Sequence, residues 1–375
     1  MSNLLFYTPE MALYGGMESH LCLLAQACAA AGHRVMMVTT SNSLNETSRQ
    51  ELRAAGVILC EMPVARGKAS NFVKLPWLLL NAIRLRARRW QVIYTNGQSG
   101  LARFVWLAAG RGTRIVHHHH TAASADEIEG WHPAFRRVLL AAAELVACSR
   151  ATKAQMEATL GRGDVRFLPY LTPEVMPSSA VEERTYAPEA VLNFGFVGRM
   201  VSTKGIEEIC QLSQQPSLTM VRWHLYGEGP DYTADHFRDF PRVEFHGRYR
   251  DLHHYAAILK ELDAMVLLSR HSEGMPLSLI EALSAGLPWI ATDRGGTREI
   301  AVDPANCVVI PVGATLGEME ASTLELVRRI RGGETSRLAQ RRVYDGYFSP
   351  ETVFRCWLDF FCGKSANNAF PPSRP

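Results

Sequence analysis

Short apolar runs alternate with helical patterns along both halves of the chain. In the first half the apolar runs predict strands at 4–7, 35–39, 57–61, 92–95, 115–118, 145–148 and 165–168. In the second half they predict strands at 192–197, 222–226, 243–246, 264–268, 289–291 and 307–310. Helical periodicity falls between several of these runs, notably at 17–31, 74–89 and 133–143. The alternation predicts an α/β fold with parallel sheets covered by helices.

One segment interrupts this alternation near the middle of the chain. Residues 169–190 hold four prolines and two serines and show no periodicity, which indicates a linker at 173–190. We therefore predict two Rossmann-like, doubly wound domains facing a cleft, at 1–172 and 191–349. A predicted helix at 350–362 follows, and the remainder, 363–375, has the composition of a flexible tail. Ligands of such sheets bind beyond the C-terminal ends of the strands.

The composition is that of a globular protein with a full core, since 47% of the 375 residues are hydrophobic and 21% are charged. The eight cysteines include no CxxC pair, which argues against a disulfide framework or a zinc site and for reduced thiols in a cytoplasmic protein. The first ten residues lack the basic region of a signal peptide. No apolar run reaches the roughly 18 residues that a membrane span needs.

The charges are distributed unevenly. Residues 1–175 carry 19 Lys and Arg against 12 Asp and Glu, a net of +7, whereas the remainder carries 21 against 25, a net of −4. Segment 71–90 holds five cations, no acid, Trp77 and a run of leucines. It fits an interfacial helix on an anionic membrane at the inner face of the cell, although a helix that packs its leucines inward is the plainer interpretation. Nucleic acid is disfavoured, because no recognition motif or aromatic interleaving accompanies the cations.

The most informative stretch is 268–296, where two carboxylates lie eight positions apart around a loop-to-helix junction. Glu273 stands where the chain must leave a strand, Pro276 suits the first helical turn, and Glu281 lies more than one turn into the predicted helix. A helix N-terminus attracts phosphate, and ionised carboxylates accept hydrogen bonds from sugar hydroxyls. The stretch therefore predicts a sugar-nucleotide site.

A second motif opens the second half, in 192–209. A predicted strand is followed by a turn at Gly198, and the cations Arg199 and Lys204 precede a helix. A guanidinium and an ammonium at a strand-to-helix turn suit a diphosphate, although ordinary surface cations would give the same pattern.

Together these residues spell G-R-x4-K-G and, about seventy residues later, E-G-x-P-x4-E. The pattern resembles the nucleotide-sugar half of family 4 retaining glycosyltransferases, which have the GT-B fold. The early 15–18 sequence, Gly-Gly-Met-Glu, resembles that family's N-terminal motif, and the resemblance covers roughly residues 3–360. It implies that the first domain binds the acceptor, that the second binds the donor, and that the helix at 350–362 crosses back to the first.

The resemblance also implies roles for individual side chains. Arg199 and Lys204 would neutralise the departing diphosphate, Glu273 would hold hydroxyls of the donor sugar, and Glu281 would accept from the ribose. The glycines at 15 and 16 would let a loop approach the phosphates closely. The implied donor-binding positions beyond the four charged residues are Gly15, Gly16, Gly198, Gly227, His246, Gly247, Gly274, Met275, Pro276 and Leu277.

Four histidines end one predicted strand, at 117–120. Because side chains alternate on a strand, His118 and His120 should share one face. The resemblance implies a catalytic histidine here against the donor sugar; His120 fits best, with His118 and His119 as rivals and a packed histidine as the structural alternative. Two histidines per face without a carboxylate are a poor metal site, so we expect no metal.

Fixed cations and N–H groups can stabilise the charge that develops as the anomeric C–O bond breaks, so the chemistry requires neither a divalent metal nor another cofactor. The sequence predicts a retaining glycosyltransferase that moves a hexosyl or N-acetylhexosaminyl group from a UDP- or GDP-sugar. The acceptor would be a hydroxyl of a glycan, a lipid-linked sugar or a small molecule. Two alternatives stay open: a nucleotide-sugar epimerase on the same fold, and a catalytically silent partner subunit.

Overall fold

The computed structural model of the chain describes residues 2–8, 16–63, 70–96, 98, 105–142, 144–271 and 273–364. These residues form two compact units. The first unit contains the described residues of 1–172 together with 353–364, and the second contains those of 173–352. No helix of the described chain is both long enough and apolar enough to cross a bilayer.

The first unit is built on one parallel sheet with the strand order β3-β2-β1-β4-β5-β6-β7. Its strands are β1 (Asn3–Tyr7), β2 (Arg34–Thr40), β3 (Ile58–Met62), β4 (Val92–Thr95), β5 (Arg114–His119), β6 (Glu144–Ala147) and β7 (Arg166–Phe167). Its helices are α1 (Gly16–Ala30), α2 (Glu46–Ala54), α3 (Ser70–Ala87), α4 (Val105–Ala108), α5 (Ala125–Glu129), α6 (Pro133–Ala141) and α7 (Arg150–Leu160).

The second unit is built on a parallel sheet with the strand order β10-β9-β8-β11-β12-β13. Its strands are β8 (Leu192–Val197), β9 (Val221–Tyr226), β10 (Val243–Gly247), β11 (Ala264–Leu267), β12 (Trp289–Thr292) and β13 (Cys307–Ile310). The helices that follow in the chain are α8 (Ile206–Ser213), α9 (Leu252–Glu261), α10 (Leu277–Ser284), α11 (Thr297–Ile300), α12 (Leu316–Arg331), α13 (Arg337–Tyr347) and α14 (Pro350–Phe361).

All strand predictions correspond to strands of the two sheets, and the predicted α/β fold is confirmed. Central strands of parallel sheets are buried on both faces, so they stand out as apolar runs; β4, β11 and β12 are buried at every position. The sequence-based prediction did not include helix α2, whose composition is largely polar and in which only Leu52 is buried.

The proline-rich segment predicted as a linker packs on the second unit. The Arg184 guanidinium pairs with the Asp263 carboxylate at 2.7 Å, and the Tyr186 hydroxyl donates to the same oxygen at 2.8 Å. Glu183 accepts a 2.9 Å hydrogen bond from the backbone N–H of Arg337 at the start of α13. These contacts fix the start of the second unit before β8 begins.

The last helix, α14, belongs to the first unit from Val353 onward. The Trp357 indole N–H donates to the carbonyl of Pro169 at 2.9 Å, and the ring is fully buried. The Arg114 guanidinium at the start of β5 donates to the carbonyl of Phe361 at 2.8 Å. The tail predicted for 363–375 lies outside the described residues from 365 onward.

Candidate active site

The loops predicted to bind a donor follow neighbouring strands of the second sheet. Gly198 follows β8, Gly227 follows β9, Gly247 ends β10, and Glu273 lies beyond the end of β11. These four strands are adjacent in the order β10-β9-β8-β11 and run parallel. Their C-terminal ends therefore meet at one edge of the sheet, which is where open α/β sheets bind ligands.

Glu273 is the most constrained charged group at this edge. Its residue surface is only 8% exposed, and its Oε1 accepts from the Lys204 ammonium at 2.6 Å and from the Ser269 hydroxyl at 2.5 Å. Among the described residues, no donor bonds to Oε2. A buried carboxylate held by a lysine and a hydroxyl has a fixed direction, so its second oxygen can accept from a ligand hydroxyl.

The loop after β12 supports the backbone of Glu273. Gly295 has a φ of +53°, and a Cβ at this position would lie 1.4 Å from the carbonyl oxygen of Glu273. The N–H of Gly296 donates to the carbonyl of Gly274 at 3.0 Å. Only glycine fits the approach at position 295, so this loop fixes the backbone that carries the carboxylate.

Gly227 and Gly198 contact each other through the backbone. Gly227 has a φ of +147°, and a Cβ there would lie 1.8 Å from the carbonyl oxygen of Gly198. The loops after β8 and β9 thus interlock, and Gly227 is required by this packing whether or not a ligand is near it.

Arg199 is exposed on the loop after β8, five positions before Lys204. Its guanidinium makes no hydrogen bond or ion pair with any residue in the described part of the chain. An unpaired guanidinium near a lysine in sequence is a favourable partner for a polyanion, because a planar guanidinium can bind two phosphate oxygens at once.

Helix α10 begins directly after the loop that holds Glu273. Pro276 is its N-cap, one position earlier than the first helical turn in which the sequence placed it. Proline offers no side-chain acceptor, and the cap makes no side-chain hydrogen bond, so the N–H groups of the first turn lack that partner. With Gly274, Met275 and Leu277, this turn forms a short segment able to bind an anion through backbone N–H groups.

Glu281 lies on the first turns of α10, as predicted, and a tyrosine orients it. The Tyr255 hydroxyl donates to Oε2 of Glu281 at 2.9 Å, and the Tyr249 ring stacks on the Tyr255 ring at a centroid distance of 4.7 Å. Burial raises the pKa of Glu281, and the Tyr255 hydrogen bond partly offsets that rise. The remaining carboxylate capacity can accept hydroxyl donors.

His246 and Gly247 end the edge strand β10. The His246 ring stacks on the Tyr226 ring at 4.4 Å, so its side chain lies against β9. Gly247 has a φ of +69° and its carbonyl accepts from the N–H of Gly227 at 2.8 Å. The backbone of Gly247 therefore contacts the loop after β9, whereas the His246 imidazole packs on the strand itself.

The remaining predicted residues belong to the first unit. Gly15 lies outside the described residues, and Gly16 is the first residue of α1. His120 follows β5, with its Nε2 at 3.2 Å from the Tyr94 hydroxyl and its Nδ1 at 3.1 Å from the Tyr170 hydroxyl. Both ring nitrogens of His120 are thus occupied by tyrosines, so contact with a sugar would require one of these hydrogen bonds to exchange.

The histidine run divides between two faces of β5, as its alternation predicted. His118 and His120 lie 4.1 Å apart between ring centroids, and His20 from α1 contacts both. On the opposite face, His119 pairs with Glu127 at 3.2 Å. Burial, with the neighbouring histidines, lowers the pKa of His120 well below its usual range, so the imidazole is neutral at pH 7. The catalytic role of His120 stays a prediction.

Two residues that orient the carboxylates were absent from the sequence-based prediction. Ser269 is buried just after β11, and Tyr255 is buried on α9. Neither belongs to a motif, and the hydroxyl of each reaches its carboxylate only because the strand ends and helices converge. In the sequence, each of them stands out only as a polar side chain in a run that is expected to be buried, and this signal is weak by itself.

Family models match most of both units. Residues 15–170 match the model described as glycosyl transferase 4-like domain, and residues 192–329 match the model described as glycosyl transferases group 1. A GDP-mannose-dependent alpha-mannosyltransferase of Mycolicibacterium smegmatis is 27% identical over 184 residues, which are 48% of this chain and 44% of that protein. The chain thus matches less than half the length of this relative.

Two further relatives extend the likeness over more of the chain. One subunit of the phosphatidylinositol N-acetylglucosaminyltransferase of Homo sapiens is 26% identical over 333 residues, covering 81% of this chain and 63% of that protein. The crystal structure of Anabaena HepE in complex with UDP and glucose superposes with a TM-score of 0.71 at 16% identity, covering 97% of this chain and 100% of that one. From the two domain matches and the shared architecture, the chain belongs to the glycosyltransferases with the GT-B fold.

Proposed function

We propose that this protein transfers a hexosyl or N-acetylhexosaminyl group from a UDP- or GDP-sugar to an acceptor hydroxyl, with retention at the anomeric carbon and without a divalent metal. The observation that carries the proposal is the Lys204–Glu273 pair, which lies just before the start of α10. It puts a cation and a sugar-hydroxyl acceptor side by side at the ligand-binding edge of the sheet.

The charges suit a leaving nucleoside diphosphate. Lys204 has three N–H donors and gives one to Glu273, which leaves two for phosphate oxygens. With the exposed Arg199 and the first turn of α10, it would stabilise the negative charge that develops on the diphosphate as the anomeric C–O bond breaks. Because Lys204 is held by Glu273 and the N–H groups belong to a helix, these donors are in place before the reaction and can favour the transition state over the bound donor.

The proposed step is balanced without a protein nucleophile. The electron pair of the anomeric C–O bond passes to the β-phosphate oxygen, and the acceptor oxygen forms its bond on the same face of the sugar. The acceptor proton then passes to that phosphate oxygen. This scheme follows the family resemblance.

The relatives support a nucleotide-sugar donor of either base. The mycobacterial relatives are named for GDP-mannose, and the Anabaena neighbour is a complex with UDP and glucose. Glu281, oriented by Tyr255, is the proposed ribose acceptor in both cases, because ribose hydroxyls are common to UDP and GDP. The choice of base would then lie with the turn at Gly247 and its neighbours.

Helix α3 supports an acceptor at a membrane surface. Leu79, Leu80 and Ile83 are 51%, 75% and 78% exposed, while Leu78 and Leu85 of the same helix are buried. Ile83 lies three positions after Leu80 and four after Leu79 along the helix, so the three side chains lie on one side of it and form one apolar stripe on the outside of the first unit. The plainer interpretation, with leucines packed inward, holds for Leu78 and Leu85 but not for Leu79 and Leu80.

Exposed cations follow this stripe at the C-terminal end of α3 and just beyond it. Arg84, Arg86, Arg88 and Arg89 are all exposed. Apolar side chains flanked by arginines are the pattern of a helix that lies in the headgroup region of anionic lipid. The proposal includes docking of the stripe on an anionic membrane surface, which would bring the acceptor half of the enzyme to a lipid-linked hydroxyl.

The test of the transfer proposal begins with nucleotide binding. Isothermal titration calorimetry with UDP and with GDP, each in EDTA, should give micromolar binding of one of them. Lys204→Ala should weaken that binding at least tenfold, because a charge-assisted contact to phosphate is lost, whereas Lys260→Ala, an exposed lysine on α9, should leave it unchanged. Binding that disappears in EDTA, or that Lys204→Ala leaves intact, would contradict the metal-free phosphate site.

A turnover assay then separates the rival activities. Donor consumed only when a hydroxyl acceptor is supplied supports transfer. Conversion of the donor to a second sugar nucleotide without acceptor would favour the epimerase. Nucleotide binding without any turnover would favour the silent subunit.

A further inference from the structure

A cluster of three potential metal ligands lies on the edge of the second sheet. His224 on β9 is the direct cross-strand partner of Glu244 on β10, and His246 lies two residues further along β10 on the same face. Among the described residues, these are the only three such side chains whose ligand atoms all lie within 4.8 Å of one another.

The separations are within about 0.6 Å of the edges of a coordination tetrahedron. His224 Nδ1 lies 3.0 Å from His246 Nε2 and 3.7 Å from the nearer oxygen of Glu244, and His246 Nε2 lies 3.9 Å from that oxygen. A tetrahedral Zn²⁺ with ligands about 2.0–2.1 Å away separates adjacent ligand atoms by about 3.3–3.4 Å. Shifts of a few tenths of an ångström would bring all three atoms to that geometry.

An outer hydrogen bond orients the more buried ligand. His224 Nε2 lies 3.1 Å from the Asn193 amide oxygen, which can only accept, so Nε2 carries the proton and the Nδ1 lone pair faces the cluster. Asn193 is itself fixed, since its backbone N–H donates to the Asp263 carboxylate at 2.8 Å. Histidines that bind metals in proteins usually have such a partner on the other ring nitrogen.

Of the other two ligands, the His246 ring is held by packing and the Glu244 carboxylate is available to a ligand. The His246 ring stacks on Tyr226 with an interplanar angle of 11°, and the ladder irregularity between Phe245 and Gly247 falls at this residue. Among the described Lys and Arg side chains, the one nearest to the Glu244 carboxylate is Arg222, whose guanidinium nitrogen lies 4.0 Å from a carboxylate oxygen. Glu244 is therefore not committed to a tight ion pair.

We propose that His224, Glu244 and His246 bind a divalent transition-metal ion of the Zn²⁺ class, with the fourth position open to water. Two imidazoles and one carboxylate form a donor set that suits Zn²⁺ better than Mg²⁺ or Ca²⁺, which prefer oxygen ligands. The ion would cross-link the edge strand β10 to β9. The cluster shares no residue with the Lys204–Glu273 pair, although His246 is among the donor-binding positions that the family resemblance implies, and the proposal does not depend on sugar transfer.

The test uses the full chain, purified without a histidine tag and stripped with EDTA. Titration with Zn²⁺ by calorimetry should give one site per chain with a Kd at or below about 1 μM, and Co²⁺ should give the intense visible absorption of a tetrahedral site. His224→Ala and Glu244→Gln should each weaken Zn²⁺ binding at least tenfold and abolish the Co²⁺ spectrum. His253→Ala removes an exposed histidine outside the cluster and should change neither.

Variants of the outer partner give a second readout. Asn193→Ala should weaken Zn²⁺ binding about 10- to 100-fold, since an outer hydrogen bond fixes the ring and its tautomer. Zn²⁺ should raise the thermal midpoint of the wild-type protein and leave that of Glu244→Gln unchanged. Failure of the wild-type chain to bind Zn²⁺ below about 100 μM, or equal binding by His224→Ala and His253→Ala, would overturn the proposal.

Discussion

At the scale of single residues, the candidate site depends on how two carboxylates are oriented. Glu273 directs one oxygen to Lys204 and Ser269, and Glu281 directs one to Tyr255. Each retains capacity to accept further hydrogen bonds. The sequence predicted both carboxylates and the lysine from their spacing, but the pairing of Lys204 with Glu273 spans 69 positions and follows from the adjacency of β8 and β11.

Glu273→Gln should lower turnover by about 10²–10³-fold while changing the Kd for the nucleoside diphosphate by less than about threefold. The amide keeps the size of the side chain but loses the charge and one acceptor oxygen, and the proposed contact of Glu273 is with the sugar. Single-turnover kinetics and calorimetry measure the two quantities separately. Glu261→Gln, an exposed glutamate on α9, is the matched control. Turnover by Glu273→Gln at the wild-type rate would refute the assigned role.

At the scale of elements, helix α3 shows where periodicity alone stops being informative. Its apolar residues run almost continuously, so a helical wheel does not tell which of them face the sheet. Leu78 and Leu85 are seven positions apart and pack inward, whereas Leu80 and Ile83 face outward. The packing of α3 on the core of the first unit made that choice, and it left Leu80 and Ile83 as part of an exposed apolar surface.

The double substitution Leu80→Ser and Ile83→Ser should reduce binding to anionic vesicles at least tenfold, because it removes the apolar part of the proposed contact. Vesicles of phosphatidylglycerol mixed with phosphatidylcholine, sedimented with the protein at moderate salt, measure this directly. Leu338→Ser changes an exposed leucine on α13 and should have no effect. If the wild-type protein prefers neither anionic over zwitterionic vesicles nor vesicles over buffer, the membrane contact is disproved.

At the scale of the whole molecule, the buried histidines of the first unit couple its stability to pH. Burial lowers the pKa of His20 to about 3 and that of His117 to about 3. Both folded-state values lie below the unfolded value of about 6.5, so the unfolded chain binds more protons than the folded one below that pH. The stability that neutral histidines contribute is thus present above pH 6.5 and is lost as the pH falls toward 3.

Urea unfolding should therefore show little change from these histidines above about pH 7, and between about pH 6 and pH 4 a fall in the free energy of unfolding that approaches about 1.4 kcal/mol per pH unit for each of them. His117 packs against Phe135, and neither of its ring nitrogens has a hydrogen-bond partner among the described residues. His117→Phe should accordingly reduce the change of the unfolding free energy with pH by the contribution of one histidine. The control is His132→Asn. His132 is exposed and caps the start of α6, and an asparagine side chain can make the same capping hydrogen bond. An unchanged slope in His117→Phe would contradict the assignment.

The sequence by itself determined the strands, the division near residue 172 and the charged motif residues of the second half. Buried parallel strands must be apolar, loops at their ends must carry the chemistry, and these requirements are local, so they are written in short stretches of sequence. The resemblance to GT-B glycosyltransferases then implied which of those stretches belong to the acceptor domain and which to the donor domain. Glu273, Lys204 and Glu281 could therefore be named as candidate site residues from their motifs alone, and their roles stay predictions.

Only the tertiary structure decided which side chains meet. Ser269 reaches Glu273, Tyr255 reaches Glu281, and the ring nitrogens of His120 are bonded to tyrosines, all through contacts made when separate strands and helices pack. The same holds for His224 and Glu244, which become neighbours because β9 and β10 pair in one register. Strand order and register depend on the packing of the whole sheet, and no short stretch of sequence carries that information.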